Sequence, residues 1–466
     1  MRKNILRSYL SGIMDGEHGE SFRTILRYSM PEFITALLLY SLPFWLDSWF
    51  VAQLVSTSRY ATLGATNNLL HWLTKVAEAL SVGTVIIAGQ FNGRQEYKKV
   101  GRTMRDSFWV TVLVGGIVSG ILFFGAHGIY SWYGVPEKMV RLGVPFLRLR
   151  ALGIFFMFVF LAFIGFLRGI KNTKTPMKIF IGGSLIFIFF DYVFIFGKFG
   201  FPAWGLQGSA IASVIQYGVM LFLVVCVVLF RKKYRMYGIK LIYAVTEPSY
   251  RMHLLHVSWP VLIDKSTMAL AYIWLCKMLA TMGKVGVATF SVVKDMERFA
   301  LLPAIAFAQV VTFLVSNDFG RQNWRGIKSN IKKIVFIASV VVFATLILFS
   351  LNTKFIIHIF DKKDKFTDLA AFVFPILSVL VFFDLLQLIL AGALRGSGNV
   401  RTVMLTRLAV CLCFFIPASY MVSGLDIQSV ELKFILIYGL FYIGNALMCI
   451  SYIKRFRGTA WREPMI

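Results

Sequence analysis

Residues 187–197 read FIFFDYVFIFG, a single aspartate in a run that is apolar on both sides. An ionised carboxylate in hydrocarbon costs at least about 2.5 kcal/mol, so Asp191 is expected to face protein or water, as a candidate for a functional role or as an acid that hydrogen-bonds Tyr or Ser neighbours to hold helices together. Three more acids stand in apolar surroundings: Asp47 in LPFWLDSWF, Asp264 in WPVLIDKSTMA and Asp384 in DLLQLIL. Desolvation disfavours the ionised form of a carboxylate, so the chemistry open to such groups is reversible charge: taking up and releasing a proton or a cation. A different pattern occurs in VVKDMERFALLP, where Lys294 and Glu297, and Asp295 and Arg298, are spaced i,i+3 and can pair on one helix; Lys75 and Glu78 repeat that spacing. Such pairs neutralise themselves and read first as structural ion pairs that line protein or water.

The elements that position these residues are set by composition. With 58% hydrophobic residues, 15% charged residues and a mean hydropathy of +0.72 over 466 residues, the chain reads as a polytopic membrane protein. Runs of about 20 apolar residues recur along its whole length. About twelve spans are expected, at 28–50, 61–88, 108–130, 147–167, 178–197, 205–230, 254–280, 285–315, 334–351, 369–393, 402–422 and 434–453. Counting about 1.5 Å per residue puts Asp47 and Asp191 each roughly 10 Å from the outer ends of their spans, a shared depth. Pro43 lies one turn before Asp47 and has no backbone N–H, so a bend is expected beside that acid.

The net charge of +27 is concentrated in alternate loops: Arg2, Lys3 and Arg7, then GRQEYKKVGRTMR, RGIKNTK, RKKYR, GRQNWRGIKSNIKK, RGSGNVR and KRFR. This is the pattern of cytoplasmic segments, with both termini inside, and it speaks for anionic lipid contact rather than nucleic acid. The long opposite loop, NTKFIIHIFDKKDKFTD, is mixed in sign. The five cysteines, Cys226, Cys276, Cys411, Cys413 and Cys449, fall inside spans without CxxC or metal-ligand spacing and read as small buried hydrophobes. The first apolar stretch is too long for a cleaved signal, and no metal constellation, nucleophile motif or phosphate loop points to an enzyme or a resident cofactor.

The chain is also internally duplicated. LRGIKNTKTPM at 167–177 aligns with LRGSGNVRTVM at 394–404, an offset of 227 that also brings GRQ at Gly93 onto GRQ at Gly320. Two six-span copies insert with the same orientation, an arrangement typical of transporters that rock one lobe against the other. The expected domains are residues 1–232, a basic linker at 233–252, and residues 253–466. Arg168 and Arg395, with their glycines, read as helix-end and loop devices. The duplication is broken at Asp384, whose counterpart is Met157.

FLRLRALG, LRGIKNTKTPM, DYVFIFGKFGFPAWGLQGSAIAS and DLLQLILAGALRGSGN, in this order and with the duplication, resemble the multidrug and toxic compound extrusion (MATE) transporters over nearly the whole chain. The resemblance implies an all-α membrane protein with twelve helices in two pseudo-symmetric six-helix lobes, V-shaped around a central cleft. It also implies an antiporter that exports organic compounds against inward H⁺ or Na⁺. Asp47 and Asp191 match the two acids of the family's N-lobe cation site, Ser213 falls where a hydroxyl is often carried, and Asp384 resembles the C-lobe acid in the pattern D-x-x-Q, with Asp264 an approximate partner. Sodium-binding members tend to carry asparagine one turn before the second acid. Phe187 stands there and offers no oxygen to a hard cation, which favours protons. Lys265 or Lys294 could serve as a counter-charge for Asp264 or Asp384. Tyr40, Trp45, Tyr192, Trp259, Tyr272 and Trp274, with Phe187, are cleft candidates for planar or cationic substrates. The expected partners are a small organic molecule and the bilayer, with the chain acting as a monomer. The alternative is a flippase for a lipid-linked or anionic substrate, for which Arg148, Arg150, Lys265 and Lys294 could grip pyrophosphate.

Overall fold

Lipid offers the backbone no hydrogen bonds, so an apolar run must satisfy its N–H and C=O groups internally as a helix. The computed structural model describes residues 18–40, 42–54, 56–241, 249–360 and 366–463, and they form helices and connecting turns with no strand. The side chains at positions 40, 42–44, 57 and 359–360 also lie outside the described set, as do Arg2, Lys3 and Arg7 and the middle of the long loop at 361–365.

On either side of position 41, which lies outside the described residues, stand α1 (Phe22–Tyr40) and α2 (Leu42–Ala52). Then follow α3 (Thr57–Gly93), α4 (Tyr97–Trp132), α5 (Glu137–Gly169), α6 (Lys174–Phe196) and α7 (Leu206–Phe230). The second set is α8 (Arg251–Leu279), α9 (Gly283–Gly320), α10 (Trp324–Leu351), the short α11 (Thr353–Phe360), α12 (Thr367–Gly396), α13 (Val400–Gly424) and α14 (Val430–Arg457). Among the described residues ten stretches are long and apolar enough to cross a membrane, and one of them, Arg251–Gly320, contains both α8 and α9. Counting α8 and α9 separately and taking α1 with α2 as the first crossing, the described helices account for the twelve expected spans. Pro43 stands at the start of the described part of α2, next to position 41, so the bend expected beside Asp47 falls outside the described residues. Helices α4 and α10 begin about ten residues before the predicted spans. No glycine or proline stops them at the lipid boundary, so the basic YKKVGRTMR and WRGIKSNIKK are helical turns rather than loops.

The duplication is visible in backbone detail. A Cβ on Gly165 of α5 would stand 2.6 Å from the Ser81 carbonyl oxygen of α3, and one on Gly392 of α12 would stand 2.7 Å from that of Ala308 of α9. Gly169 and Gly396, the glycines of the two LRG motifs, make the next contacts one turn on, against Ala88 and Thr312. Small residues four apart thus let equivalent helix pairs touch backbone to backbone. Gly392→Ala and Gly165→Ala are each expected to destabilise the protein by about 1–3 kcal/mol, because the neighbouring atom is a carbonyl that cannot rotate away. Thermal unfolding of the purified protein checks this against Gly116→Ala, where nothing stands within 4 Å of the added Cβ. Left-handed residues also repeat: Gln95 (φ 63°) with Gln322 (φ 59°), and Lys171 (φ 59°) with Gly398 (φ 84°).

By contacts the chain forms two compact units: Ile34–Trp259, and the described part of Met1–Phe33 with Pro260–Ile466. The division falls inside α1 and α8. The residues before 34, assigned from sequence to the first lobe, group with the second unit because its polar side chains satisfy their backbone. Asn323 Nδ2 donates to the His18 carbonyl at 2.9 Å, the Glu20 N–H donates to Asn330 Oδ1 at 2.8 Å, and Lys333 Nζ donates to the Glu20 carbonyl at 3.0 Å.

The described part of the basic linker packs on the first unit. Asn172 Nδ2 donates to the Tyr234 hydroxyl at 2.6 Å, and the Tyr237 hydroxyl donates to Asn92 Oδ1 at 3.2 Å. Burial pushes the Tyr237 phenol up to about 12, so it stays a neutral donor. One repeat later, Asn399 Nδ2 donates to the Trp461 carbonyl at 2.7 Å, and Trp461 is fully buried against Trp324 and Phe456. Linker and tail are therefore the same element, an aromatic seat that closes each repeat on its own LRG-to-Asn turn.

Candidate ion-coupling sites

In the unit Ile34–Trp259, α2, α5, α6 and α7 bring four polar side chains into an apolar interior. Asp47 is 2% exposed, and both of its oxygens are occupied: Arg150 Nη2 donates to Oδ2 at 2.7 Å and Ser209 Oγ donates to Oδ1 at 2.7 Å. Arg150 also reaches Ser209 Oγ at 3.3 Å, and its guanidinium lies 5.2 Å from the Phe146 ring centroid. Asp191 is fully buried, and neither oxygen has a hydrogen-bond partner. Asp47 and Arg150 are the charged groups that act on it electrostatically. Phe187, one turn earlier, is a core residue packed with Val193, Phe194 and Ala212, which corrects its reading as a cleft residue: it fills an inter-helix space.

The hydroxyl at the site is Ser209, not Ser213. Ser213 Oγ donates to the carbonyl of Ala210 in its own helix at 2.8 Å, a bond that serves the helix rather than the acid. Both serines lie in GSAIAS, one turn apart, and sequence alone does not choose between them. Ser209→Ala is expected to cost about 1.5–3 kcal/mol, the range for a hydrogen bond to a charged group, and Ser213→Ala less than about 0.5 kcal/mol. Chemical denaturation of the two variants side by side measures the difference.

Arg150 is the residue that charge reading misplaced, since it is a counter-ion to Asp47 rather than a free cation for an anionic substrate. Arg148, two residues earlier in FLRLRALG, points elsewhere, with its Nε donating to the Phe123 carbonyl at 3.2 Å and its guanidinium over that ring. Residues i and i+2 on a helix do not share a face, so only one of this pair could meet the acid.

In the second unit Asp264 accepts from Arg395 Nη2 at Oδ2 and from Arg407 Nε at Oδ1. The counter-charge expected from Lys265 or Lys294 is thus supplied by two arginines. Lys265 follows Asp264 directly and leaves the helix in another direction, and Lys294 Nζ lies 5.3 Å from the Phe290 ring centroid. Arg395, read from sequence as a helix-end device, is one of these partners. Arg407 continues the network, donating to Gln387 Oε1 at 2.9 Å; Gln387 Nε2 donates to Asp384 Oδ1 at 3.2 Å, and Asn445 Nδ2 reaches the same oxygen at 3.3 Å. The D-x-x-Q spacing thus places an amide donor one turn from the acid.

The ion pairs expected on α9 are not formed. Glu297 accepts from the Tyr438 hydroxyl of α14 instead, and neither Asp295 nor Arg298 makes a salt bridge. A buried phenol from α14 thus occupies one carboxylate oxygen in place of a helical partner. Lys75 Nζ does stand 3.5 Å from Glu78 Oε1.

Of the aromatic candidates, Trp45, Tyr192 and Trp259 are exposed, with Tyr192 also against Phe50 and Phe196. Tyr272 is half-buried, 4.9 Å from the Phe441 ring. Trp274 is half-buried too, donating from Nε1 to Ser419 Oγ at 2.9 Å. The Tyr40 side chain lies outside the described residues. Among the described residues all five cysteines are free thiols, and no group of three or more His, Cys, Asp and Glu could hold a metal ion.

The MatE family model matches residues 33–193 and again residues 260–421, one match per repeat. A probable multidrug resistance protein, YoeA of Bacillus subtilis, is 24% identical over 336 residues, covering 71% of this chain and 72% of that one. The multidrug resistance protein NorM of Photobacterium profundum is 21% identical over 406 residues, covering 87% and 88%. Among solved structures, a MOP superfamily transporter from Pyrococcus furiosus, described as having a binding pocket of reverse polarity that suggests a different function, superposes with a TM-score of 0.85 at 18% identity, covering 96% of this chain and 98% of that one. A crystal structure of MATE in the bent conformation gives 0.83 at 20% identity, covering 94% and 96%. At these identities the structures speak for the fold, whereas the family match covers most of the sequence in both copies: this multi-pass membrane protein belongs to the MatE family.

Proposed function

We propose that this protein is a secondary antiporter of the cell membrane that exports organic, amphipathic or cationic compounds in exchange for inward protons. Both termini are cytoplasmic in this reading, and the monomer is the working unit. Family membership and the multidrug resistance relatives support export. The observation that supports protons is Asp191, a fully buried carboxylate with neither oxygen hydrogen-bonded, beside an Asp47 whose charge Arg150 already answers. Such a group needs something to neutralise it. A hard cation such as Na⁺ needs several oxygen ligands at once. Here Phe187 supplies none, Ser213 gives its proton to its own helix, and Arg150 holds Asp47 Oδ2, so a second cation would sit against a guanidinium. A proton needs only the carboxylate.

The flippase alternative has less support. Arg150 is bound to an acid, and Arg148 and Lys294 lie over rings, so none of the three stands as an open pyrophosphate grip. The deciding experiment measures export of a fluorescent organic cation in proteoliposomes. Export driven by an imposed pH gradient without Na⁺ is the expected result. Export that follows a Na⁺ gradient at clamped pH overturns the ion assignment, and flipping of a lipid-linked pyrophosphate in place of export overturns the substrate class.

A further inference from the structure

The second unit also contains a buried carboxylate with an oxygen that no hydrogen bond reaches. Glu297, in the middle of α9, is 4% exposed. Its Oε2 accepts the Tyr438 hydroxyl, while Oε1 is buried without a hydrogen-bond partner. The groups facing it from the helices packed around it are Tyr438 and Tyr442 of α14, whose rings stack at 5.5 Å and 17°, and Asp384 of α12; Tyr272 of α8 joins the same cluster. On its own helix Lys294 is turned to Phe290, and Arg298 forms no ion pair with it.

The other two acids of the unit are differently placed. Asp264 is answered by two guanidinium groups, and Asp384 by amide donors from Gln387 and Asn445. Glu297 alone among these three has a phenol donor in place of charged or amide partners and an oxygen without a hydrogen-bond partner. Burial of a charge without a counter-charge costs several kcal/mol, so this arrangement calls for a neutralising ion.

We infer that Glu297 is the proton-binding carboxylate of the second unit, positioned by Tyr438, and that Asp264 with Arg395 and Arg407 is a fixed frame that does not titrate during the cycle. On loading, H⁺ adds to the free Oε1 and forms an O–H bond while Tyr438 continues to donate to Oε2. On release the same bond breaks, the proton returns to water, and the phenol holds the carboxylate that remains. Each unit then carries one buried acid with a carboxylate oxygen free to take the proton, Asp191 in the first and Glu297 in the second. The transport consequence rests on the proton-coupled reading above; the proton binding itself does not.

Infrared difference spectra of the full-length protein in lipid, taken between acidic and alkaline pH, read the protonated carboxyl stretch directly. Glu297→Gln is expected to remove one component of that band and Asp191→Asn a different one, with the double variant lacking both. Tyr438→Phe, which keeps the acid, is expected to move the frequency and midpoint of the Glu297 component only, and it carries the test if Glu297→Gln does not fold. An unchanged band in Glu297→Gln, or a missing component that maps to Asp384→Asn instead, overturns the assignment. So does a band that vanishes on adding Na⁺ at fixed pH, which would make the cluster a metal-cation site. In proteoliposomes Glu297→Gln is expected to lower pH-driven export to the level of empty vesicles. If the parent shows no pH-driven export while the Glu297 band still titrates, the antiport reading fails and the proton site stands.

Discussion

Arg407→Leu is expected to destabilise the folded protein by about 3–5 kcal/mol, among the largest single-residue effects in the chain, because it removes one partner from a buried ion pair. Arg407 is 3% exposed and holds two acceptors at once, Asp264 Oδ1 and Gln387 Oε1. Without it Asp264 keeps only Arg395, whose side chain is less deeply buried, and Gln387 loses the contact that orients its amide toward Asp384. The penalty is mainly that of leaving a charge half-answered, so removing the charge as well should recover much of it. Asp264→Asn combined with Arg407→Leu is therefore expected to be more stable than Arg407→Leu alone. Thermal unfolding in one detergent, arranged as a double-mutant cycle, measures the coupling, and additive effects would show that the two residues do not share a network.

The second large effect separates the two acids of the first unit. Asp47→Asn leaves Arg150 with an uncompensated charge beside apolar side chains, and a loss of about 3 kcal/mol in stability is expected. Asp191→Asn breaks no hydrogen bond, and the amide has the shape of the protonated acid, so stability should change by less than about 1 kcal/mol. Transport should separate the variants in the opposite sense. Asp191→Asn cannot bind and release a proton at this position, and pH-driven export should fall to background although the protein is intact. Parallel unfolding curves and transport assays check both halves. An Asp191→Asn protein that exports at the parent rate removes Asp191 from the coupling mechanism.

Much of the fold was legible in the sequence because membrane spans are set by local composition and duplication by self-similarity. The offset of 227 found in LRG and GRQ extends to left-handed residues at Gln95 and Gln322, to the inter-helix glycines at 165 and 392, and to the Asn172 and Asn399 side chains that fasten the linker and the tail. Span ends were less legible at α4 and α10, where helix continues through basic residues because hydropathy marks lipid rather than hydrogen bonding. The helical pairs on α9 were misread for a related reason: i,i+3 spacing permits Lys294 to meet Glu297, but a phenol from a helix more than a hundred residues away meets it instead.

The sequence by itself determined that the chain is an all-α, twelve-span, duplicated membrane protein with acids in its interior, since bilayer thickness, the positive-inside bias and the cost of a buried charge all act on short stretches of chain. Only the tertiary structure decided which acids are paired. The partners of Asp47 lie 103 and 162 residues away, and those of Asp264 lie 131 and 143 away, so no local spacing could reveal them. Four acids that look alike in sequence become two that are ion-paired, one held by amides and one with no partner, and Glu297, which read as half of a buried i,i+3 ion pair, becomes a carboxylate with one phenol donor and one unpartnered oxygen. Charge in a low-dielectric interior is answered by whatever folding brings within hydrogen-bond distance, and that is a property of packing.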